Sequence, residues 1–504
     1  MFRLELQRVD EAWRILDRYA ALAWPGWKNN TNIPFRIDYP NGVSLYIGKP
    51  ASIGRWQMFD STLMKLVDST LLRGKKIYLD ESRKNTIQLT SRLAPGGGGA
   101  GLGGAVPNMN IRRLILTDHD VHYADSVWKA SGCPPWPKEM SYSTDNQIAI
   151  LVHELFHCYT NFGPGFSIGD TLFSADLNYA IFSEIEGELI EKAANETDTA
   201  RMKDLLVQFL QVRKQKRRSM SPKQQAYESD QEKAEGIATY ATDRIINLLS
   251  HDYEPLLSSK EDPLYFGFRY VEYFSAQNLD MFHRVNKSTL QTGAKAYGTG
   301  YFICNVLDKM LPDWKHDFFQ RSRSMDSLIV QLSTQAARDT AGMLEKIIQE
   351  YHYAELEKRH SRVIGSRDSI ITVLSDPKLK SFAIQYGEVS MMPIPLIRST
   401  GAVYSRAMKY YYAPGSGSIQ LGDMNCQCRE IPMCLDIHTK AIILPDVDGT
   451  VDTLHYELHF NAQEAEDTYG NVTISGQHFT LRAPRVKIVK TSAQVQFVIL
   501  PVKQ

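Results

Sequence analysis

The stretch TDNQIAILVHELFHCYTNFG, residues 144–163, decides how the rest of the sequence is interpreted. Its apolar residues return every three or four positions, which is the period of an α-helix with one buried face. Thr144, with Gln147 three residues later, is typical of a capping box. The pattern therefore predicts a helix that has Thr144 as its N-cap and ends near Gly163.

Two histidines lie one turn apart on this predicted helix. His153 and His157 project from the same face, so both imidazoles can reach one Zn²⁺ ion at about 2 Å. Glu154 lies beside them, where its carboxylate can reach a water rather than the ion. The alternative is a pair of core histidines satisfied by hydrogen bonds, but a glutamate buried beside them without a cation would cost free energy. We therefore predict half of a zinc site.

This His-Glu-x-x-His helix resembles the zinc helix of the zincin metallopeptidases, over about 20 residues. The resemblance implies bound Zn²⁺, a catalytic cleft and a peptide or protein substrate. It also implies that Glu154 is the general base that takes a proton from the attacking water. At the position where the metzincin branch has a further histidine, this chain has Gly163, which favours the gluzincin branch with a glutamate as third ligand.

Glu235 is the preferred third ligand. Its surroundings, Glu-Gly-x-Ala-x-Tyr, resemble the third-ligand helix of gluzincins. Gly236 and Ala238 remove bulk beside it, which would let its helix approach the histidine helix closely. Because Glu235 lies 78 residues beyond His157, the helical residues 175–218 would form an insertion between the two ligand helices.

Other charged residues near these segments leave alternatives open. Glu184 and Glu188 also follow the histidine helix and are the competing third ligands. Glu232 lies on the same helical face as Glu235, which is typical either of a residue that orients the imidazoles or of a solvated stripe. The basic run at residues 213–218 is interpreted as a solvated helix end.

Gluzincin-type sites usually have a tyrosine or histidine that donates to the oxyanion, beyond the third ligand. Tyr297 is the preferred candidate because glycines beside it would allow a close approach to a cleft. Tyr301 and His283 are the alternatives. A strand at residues 113–116 is a candidate to pair with the substrate backbone, as zincin edge strands do.

Three regions follow from changes in the pattern along the chain. Residues 1–125 mix short strand-like runs with turns and contain a glycine-rich stretch, residues 95–104, that predicts a mobile loop. Residues 126–364 have a helical period, and residues 365–504 have a period of two, beginning with a strand-like run at 369–374. The predicted fold class is α+β, with a mixed N-terminal region, a large helical zincin-like body and a C-terminal β sandwich or barrel.

Composition excludes several function classes. The 504 residues include 57 basic and 57 acidic side chains, so no net charge attracts nucleic acid. No run reaches the roughly 18 apolar residues of a membrane span, and the first residues lack the apolar core of a secretory signal. We expect a soluble chain without a nucleic-acid partner. Its compartment and oligomeric state are not specified, since a signal trimmed from the chain would leave no trace.

The function predicted from these features is zinc-dependent peptide hydrolysis. No Gly-x-Met-Glu-Asn signature of the aminopeptidase N type precedes the zinc helix, which favours endopeptidase or oligopeptidase action. One alternative is an interaction protein that keeps the scaffold without turnover, although an intact Glu154 argues against it. Another is a zinc hydrolase that acts on a non-peptide substrate.

Overall fold

The computed structural model describes residues 2–28, 31–39, 43–48, 64–67, 72–81, 93–101, 108–115, 137, 140–161, 176–256, 261–289, 292–316, 318–319, 323–333, 342–375, 381–386, 398–399, 403–406, 409–412, 417–421, 424–428, 431–436, 441–445, 455–459, 468–475, 479–490 and 494–499. Helices dominate these residues and are accompanied by mostly antiparallel sheets, which confirms the broad α+β class. No described helix combines the length and the apolar character that a membrane span requires.

The described helices are α1 (Phe2–Ala23), α2 (Thr144–Thr160), α3 (Leu177–Asn195), α4 (Thr199–Arg217), α5 (Pro222–Gln231), α6 (Ile237–Asp252), α7 (Val271–Lys287), α8 (Thr292–Met310), α9 (Met325–Ser333), α10 (Met343–Glu350) and α11 (Tyr353–Ser375). A π-helical turn, Glu232–Gly236, joins α5 to α6 and is called the π segment below.

The described strands are β1 (Phe35–Asp38), β2 (Ser44–Ile47), β3 (Met64–Val67), β4 (Ile77–Asp80), β5 (Leu93–Gly101), β6 (Asn108–Ile115), β7 (Ser381–Tyr386), β8 (Arg398–Ser399), β9 (Val403–Arg406), β10 (Lys409–Tyr412), β11 (Gly417–Leu421), β12 (Met424–Cys428), β13 (Met433–Asp436), β14 (Ala441–Pro445), β15 (His455–His459), β16 (Thr468–Ser475), β17 (Phe479–Lys490) and β18 (Gln494–Ile499).

In the N-terminal part, six described strands form one sheet in the order β3-β4-β2-β1-β6-β5. The pairing of β1 with β6 is parallel, and the other pairings are antiparallel. Strand β5 lies at one edge of this sheet and runs beside α2. Strand β6 lies between β1 and β5, but its pairing with β1 covers only Met109–Arg112, and residues 113–115 pair with β5 alone among the described strands. Residue 116 lies outside the described residues, and the substrate-pairing role of residues 113–116 stays a prediction.

The glycine-rich stretch differs from the mobile loop predicted for residues 95–104. Up to Gly101 it forms strand β5, paired with β6 from Leu93↔Ile115 to Gly101↔Asn108. The register shifts between Pro95 and Gly98, so the proline lies next to an irregularity at the sheet edge, where strands tolerate it. Pairing of the backbone with β6 therefore overrides the low strand propensity of the glycines.

Helix α1 was not predicted, although its sequence carries the signal. Leu6, Val9, Trp13, Leu16 and Ala20 recur at helical spacing, and all five are buried. The helix packs against α2 and α6, so its apolar face closes the core beneath the histidine helix. A continuous cluster of buried side chains extends from α1 to α10.

The N-terminus of α2 is fixed by buried polar groups. Its N-cap is Ser143 rather than the predicted Thr144, because the Ser143 side chain accepts from the backbone N–H of Asn146. Thr144 instead donates to Asp262. The carboxylate of Asp145 accepts from two backbone N–H groups of the segment before α7, and burial raises its pKa to about 6. These contacts set the position of the helix that carries the two histidines.

In the C-terminal part, twelve described strands form one sheet. Most pairings are antiparallel, with β18 and β7 parallel. Residues 369–374, predicted as a strand, lie instead in the last turns of α11. This helix buries Ile370 against Cys434 of β13, so a helical face takes the apolar residues that resembled a strand pattern.

Candidate metal centre

Three side chains from two elements converge. His153 and His157 project from α2, and Glu235 projects from the π segment. The two imidazole Nε2 atoms are 3.1 Å apart, and the Glu235 Oε2 atom is 3.2 Å from that of His153 and 3.3 Å from that of His157. Within the described part of the chain, this is the group of three or more His, Cys, Asp or Glu side chains whose ligand atoms converge closely enough to hold a metal.

The three distances match the edges of a tetrahedral zinc site. Zinc binds imidazole nitrogen and carboxylate oxygen at about 2.0–2.2 Å, which places neighbouring ligand atoms about 3.3 Å apart. Each imidazole nitrogen carries either one proton or one lone pair, so it can direct a hydrogen bond at one partner only. One metal ion could instead accept a lone pair from each of the three side chains. The residues present could therefore hold a metal ion.

The surroundings of Glu235 favour the ionised form of its carboxyl group. Burial alone would raise the pKa of Glu235, but hydrogen bonds from His153 and His157 lower it far below its ordinary value. The carboxylate is thus ionised at neutral pH and able to bind a cation. The side chains of His153 and Glu235 stay 17% and 12% exposed, so water can reach part of each.

Comparison with known proteins supplies no family for this chain: no family model, no curated protein and no solved structure matches it. Function must therefore be inferred from the chemistry of the site itself.

The π segment explains how Glu235 reaches the histidines. Helices α5 and α6 continue through it in one direction, and its wider turn shifts the face on which Glu235 projects. Helices α3 and α4 lie between α2 and α5 in sequence, as the long spacing between the ligands requires.

The role predicted for Gly236 is corrected in one respect. A Cβ atom on Gly236 would lie 2.4 Å from the Cα atom of Gly300. The missing side chain therefore allows a close crossing with α8, the helix that carries Tyr297, rather than with α2.

Tyr297 lies at the site. Its ring stacks on that of His153, with the centroids 6.4 Å apart and the planes 10° apart. Burial, the charge of Glu235 and a hydrogen bond to that carboxylate raise the pKa of Tyr297 above its usual range, so its hydroxyl stays a donor. The charge of Glu154 raises the pKa of Tyr297 as well, which places the two side chains in one neighbourhood. Its role as oxyanion donor stays a prediction.

Tyr227 is a residue of this neighbourhood that the sequence-based reasoning missed. Burial and the charge of Glu235 raise its pKa, and its hydroxyl accepts a hydrogen bond from the Gln231 side chain at 2.9 Å. The signal was present, since Tyr227, Gln231 and Glu235 follow one another at intervals of four residues.

The alternative candidates lie elsewhere. Glu184 accepts from Arg359 and from the Nε2 atom of His360. Tyr301 donates to Asp243, and His283 pairs with Glu191. Glu188, the remaining alternative third ligand, is outside the converging group. Glu184 and Glu188 therefore do not converge with the two histidines, whereas Glu235 does.

Two further interpretations are corrected by buried ion pairs. Glu232 bonds to Arg213 instead of to an imidazole. Arg213 and Lys216, part of the run interpreted as a solvated helix end, are 2% and 1% exposed. Carboxylates from other helices hold these cations inside the protein.

Replacing Tyr297 with phenylalanine tests the bond to Glu235. Removing a partner that orients a metal ligand typically weakens binding by about 10–100-fold, so we expect the zinc dissociation constant of Tyr297→Phe to rise by that factor. The measurement is chelator competition. A further loss of turnover at saturating zinc would measure the oxyanion role predicted from the sequence, and an unchanged dissociation constant would contradict the orienting role.

Glu184→Gln is expected to change acid stability and leave zinc content unchanged. Burial would raise the pKa of Glu184, but His360 and Arg359 lower it below its ordinary value. A lowered folded-state pKa stabilises the protein above the unfolded value, near pH 4.5, and this contribution is lost as the pH falls through the folded value. The variant should lose about 1.5–3 kcal/mol at pH 7 and show a flatter decline below pH 5 in denaturant titrations.

Proposed function

We propose that this chain is a zinc-dependent peptidase of the zincin type, with His153, His157 and Glu235 as its metal ligands. The observation that carries the proposal is the triangle of ligand atoms with edges of 3.1, 3.2 and 3.3 Å. Three protein ligands leave a fourth position for water or substrate, which is typical of catalytic zinc, whereas structural zinc is usually closed by four ligands.

Glu154 is proposed as the general base. It follows His153 on α2 and is only partly buried. We expect its carboxylate to reach a water at the fourth position of the metal site. A zinc ion held there would supply a Lewis acid that polarises a carbonyl and acidifies a water. Glu154 would take the proton of the attacking water and deliver it to the leaving amine. Tyr297 supplies a hydroxyl group near Glu235 and Glu154, and Tyr227 supplies one near Glu235.

Strand β5 is the proposed support for an extended substrate. It ends the described sheet, its partner in that sheet is β6, and it runs beside the histidine helix. A peptide added to the outer edge of β5 would form backbone hydrogen bonds and lie along the metal site. Its glycines would let the peptide approach closely, and backbone pairing favours endopeptidase or oligopeptidase action.

The three-region organisation is part of the proposal. Helix α11 runs through residue 364 to Ser375, so we move the boundary predicted at residue 364 to the end of this helix. Residues 126–375 would be the catalytic body, residues 1–125 would contribute the sheet with the substrate edge, and the strands after residue 375 would form a β domain that steers substrate or binds a partner. The separate buried cluster around Ile370 and Cys434 supports a second packing unit at the C-terminal side.

Zinc content with a peptide assay tests the proposal. Elemental analysis of the full chain should find about one zinc per molecule, lost in Glu235→Ala and kept in Glu184→Gln. A library of internally quenched peptides should be cleaved by wild type and not by Glu235→Ala. Wild type that stays free of zinc after zinc is added would overturn the metal site, and zinc without cleavage would favour a non-peptide substrate or a non-catalytic scaffold.

A further inference from the structure

Beside the metal site, a buried charge cluster joins five elements. In the described part of the chain its cations are Arg213, Lys216 and Arg217 of α4, and its anions are Glu186 of α3, Glu228 of α5, Glu232 of the π segment and Asp326 of α9. We propose that Arg213 and Glu232 are positioning residues of the metal site, which fix the π segment so that Glu235 faces the two histidines. The inference rests on the proposed function.

The geometry around Arg213 carries this inference. Its two terminal nitrogens donate to the two oxygens of Glu232, at 3.0 and 2.5 Å, in the fork geometry that fixes orientation as well as distance. Its Nε atom donates to Glu186, and one terminal nitrogen also donates to Asp326. Carboxylates of α3 and α9 thus fix the position of the guanidinium, which in turn fixes the position of Glu232.

Glu232 connects Arg213 to the proposed metal ligand Glu235. It opens the π segment, and Glu235 follows three residues later in the same turn. Gly300 of α8 also packs against this segment, where an added Cβ atom would lie 2.5 Å from the carbonyl oxygen of Glu232. The π segment is therefore contacted both by the charge cluster, through the Glu232 side chain, and by the backbone of α8.

Energetic considerations favour positioning over stability as the role of the cluster. Burying charges carries a desolvation cost that their attraction often only balances, so apolar residues of similar volume would stabilise such a region equally well. A π turn is a rare conformation that persists where the surroundings determine it, and such turns are frequent at functional sites. The two hydrogen bonds between Arg213 and Glu232 can fix the helical register of the π segment and so determine this conformation.

The test compares Glu232→Gln with Glu228→Gln in the full chain. Glu228 belongs to the same cluster but lies on α5, outside the π segment. It pairs with Lys216 and Arg217 of α4. Zinc dissociation constants are measured by chelator competition, unfolding by denaturant titration, and ligand geometry by the visible spectrum of the Co²⁺-loaded protein. Burial raises the pKa of Glu232 to about 7, with Arg213 opposing and Glu228 adding to the rise, so pH 8 keeps the wild-type carboxylate ionised.

We expect Glu232→Gln to weaken zinc binding by about 10–100-fold and to change the Co²⁺ spectrum, while Glu228→Gln stays within about twofold of wild type even if it unfolds more easily. Arg213→Lys, which keeps the charge and loses the fork, should resemble Glu232→Gln and replaces it if that variant fails to fold. Wild-type affinity and spectrum in folded Glu232→Gln would overturn the inference, as would equal weakening in Glu228→Gln. Absence of zinc from wild type would instead overturn the proposed function.

Discussion

Glu154→Gln is expected to lower peptide hydrolysis by about 10²–10⁴-fold while the chain retains its zinc. The glutamine keeps the size of the side chain and removes the proton acceptor. Because the carboxylate of Glu154 is absent from the converging ligand group, the zinc dissociation constant should stay within about threefold of wild type. Steady-state rates on quenched peptides and elemental analysis of the same preparation measure the two effects.

Two matched variants make this result specific. Glu191→Gln replaces a glutamate that pairs with His283 at the surface, away from the metal site, and should leave both rate and zinc content unchanged. His157→Ala should lose zinc and activity together, because its imidazole is a proposed ligand. If Glu154→Gln kept the wild-type rate with zinc bound, Glu154 would not be the base and the zincin mechanism would be wrong for this chain.

The local part of the site could be predicted from the sequence because its signals are local. A four-residue spacing on one helix brings His153 and His157 together whatever surrounds the helix. Glu235 required a long-range inference, and the small residue after it was the useful signal. That signal led to the glutamate that converges with the two histidines, but for a partly wrong reason, since Gly236 adjoins α8 rather than α2.

Other features could not be predicted because they depend on partners that are distant in sequence. The π segment contacts Arg213, 19 residues before Glu232, and Gly300, 68 residues after it. Because both partners are distant in sequence, no local pattern predicts the π turn. The cations of residues 213–218 have the spacing of a solvated helix end, and only the folded arrangement of carboxylates explains the burial of Arg213 and Lys216. The glycine-rich strand β5 likewise depends on pairing with β6.

Gly300→Ala is expected to lower the free energy of unfolding by about 1–3 kcal/mol, although alanine is the better helix former. The added methyl group would lie 2.5 Å from the Glu232 carbonyl oxygen and 2.8 Å from the Gly236 Cα atom. Both are backbone atoms and cannot turn aside as a side chain can, so α8 and the π segment must separate. Denaturant titration measures the loss.

The same separation should weaken the metal site, because α8 carries Tyr297 and the π segment carries Glu235. We expect the zinc dissociation constant of Gly300→Ala to rise by about tenfold or more. Gly365→Ala is the matched control: an added Cβ atom there meets nothing within 4 Å, so helix propensity alone should stabilise the protein by about 0.5–1 kcal/mol. Equal changes in the free energy of unfolding would contradict a close crossing at Gly300. Stability changes of opposite sign, together with weaker zinc binding in Gly300→Ala alone, would support a contact that holds Glu235 in place, because only this contact joins the stability loss to the proposed ligand.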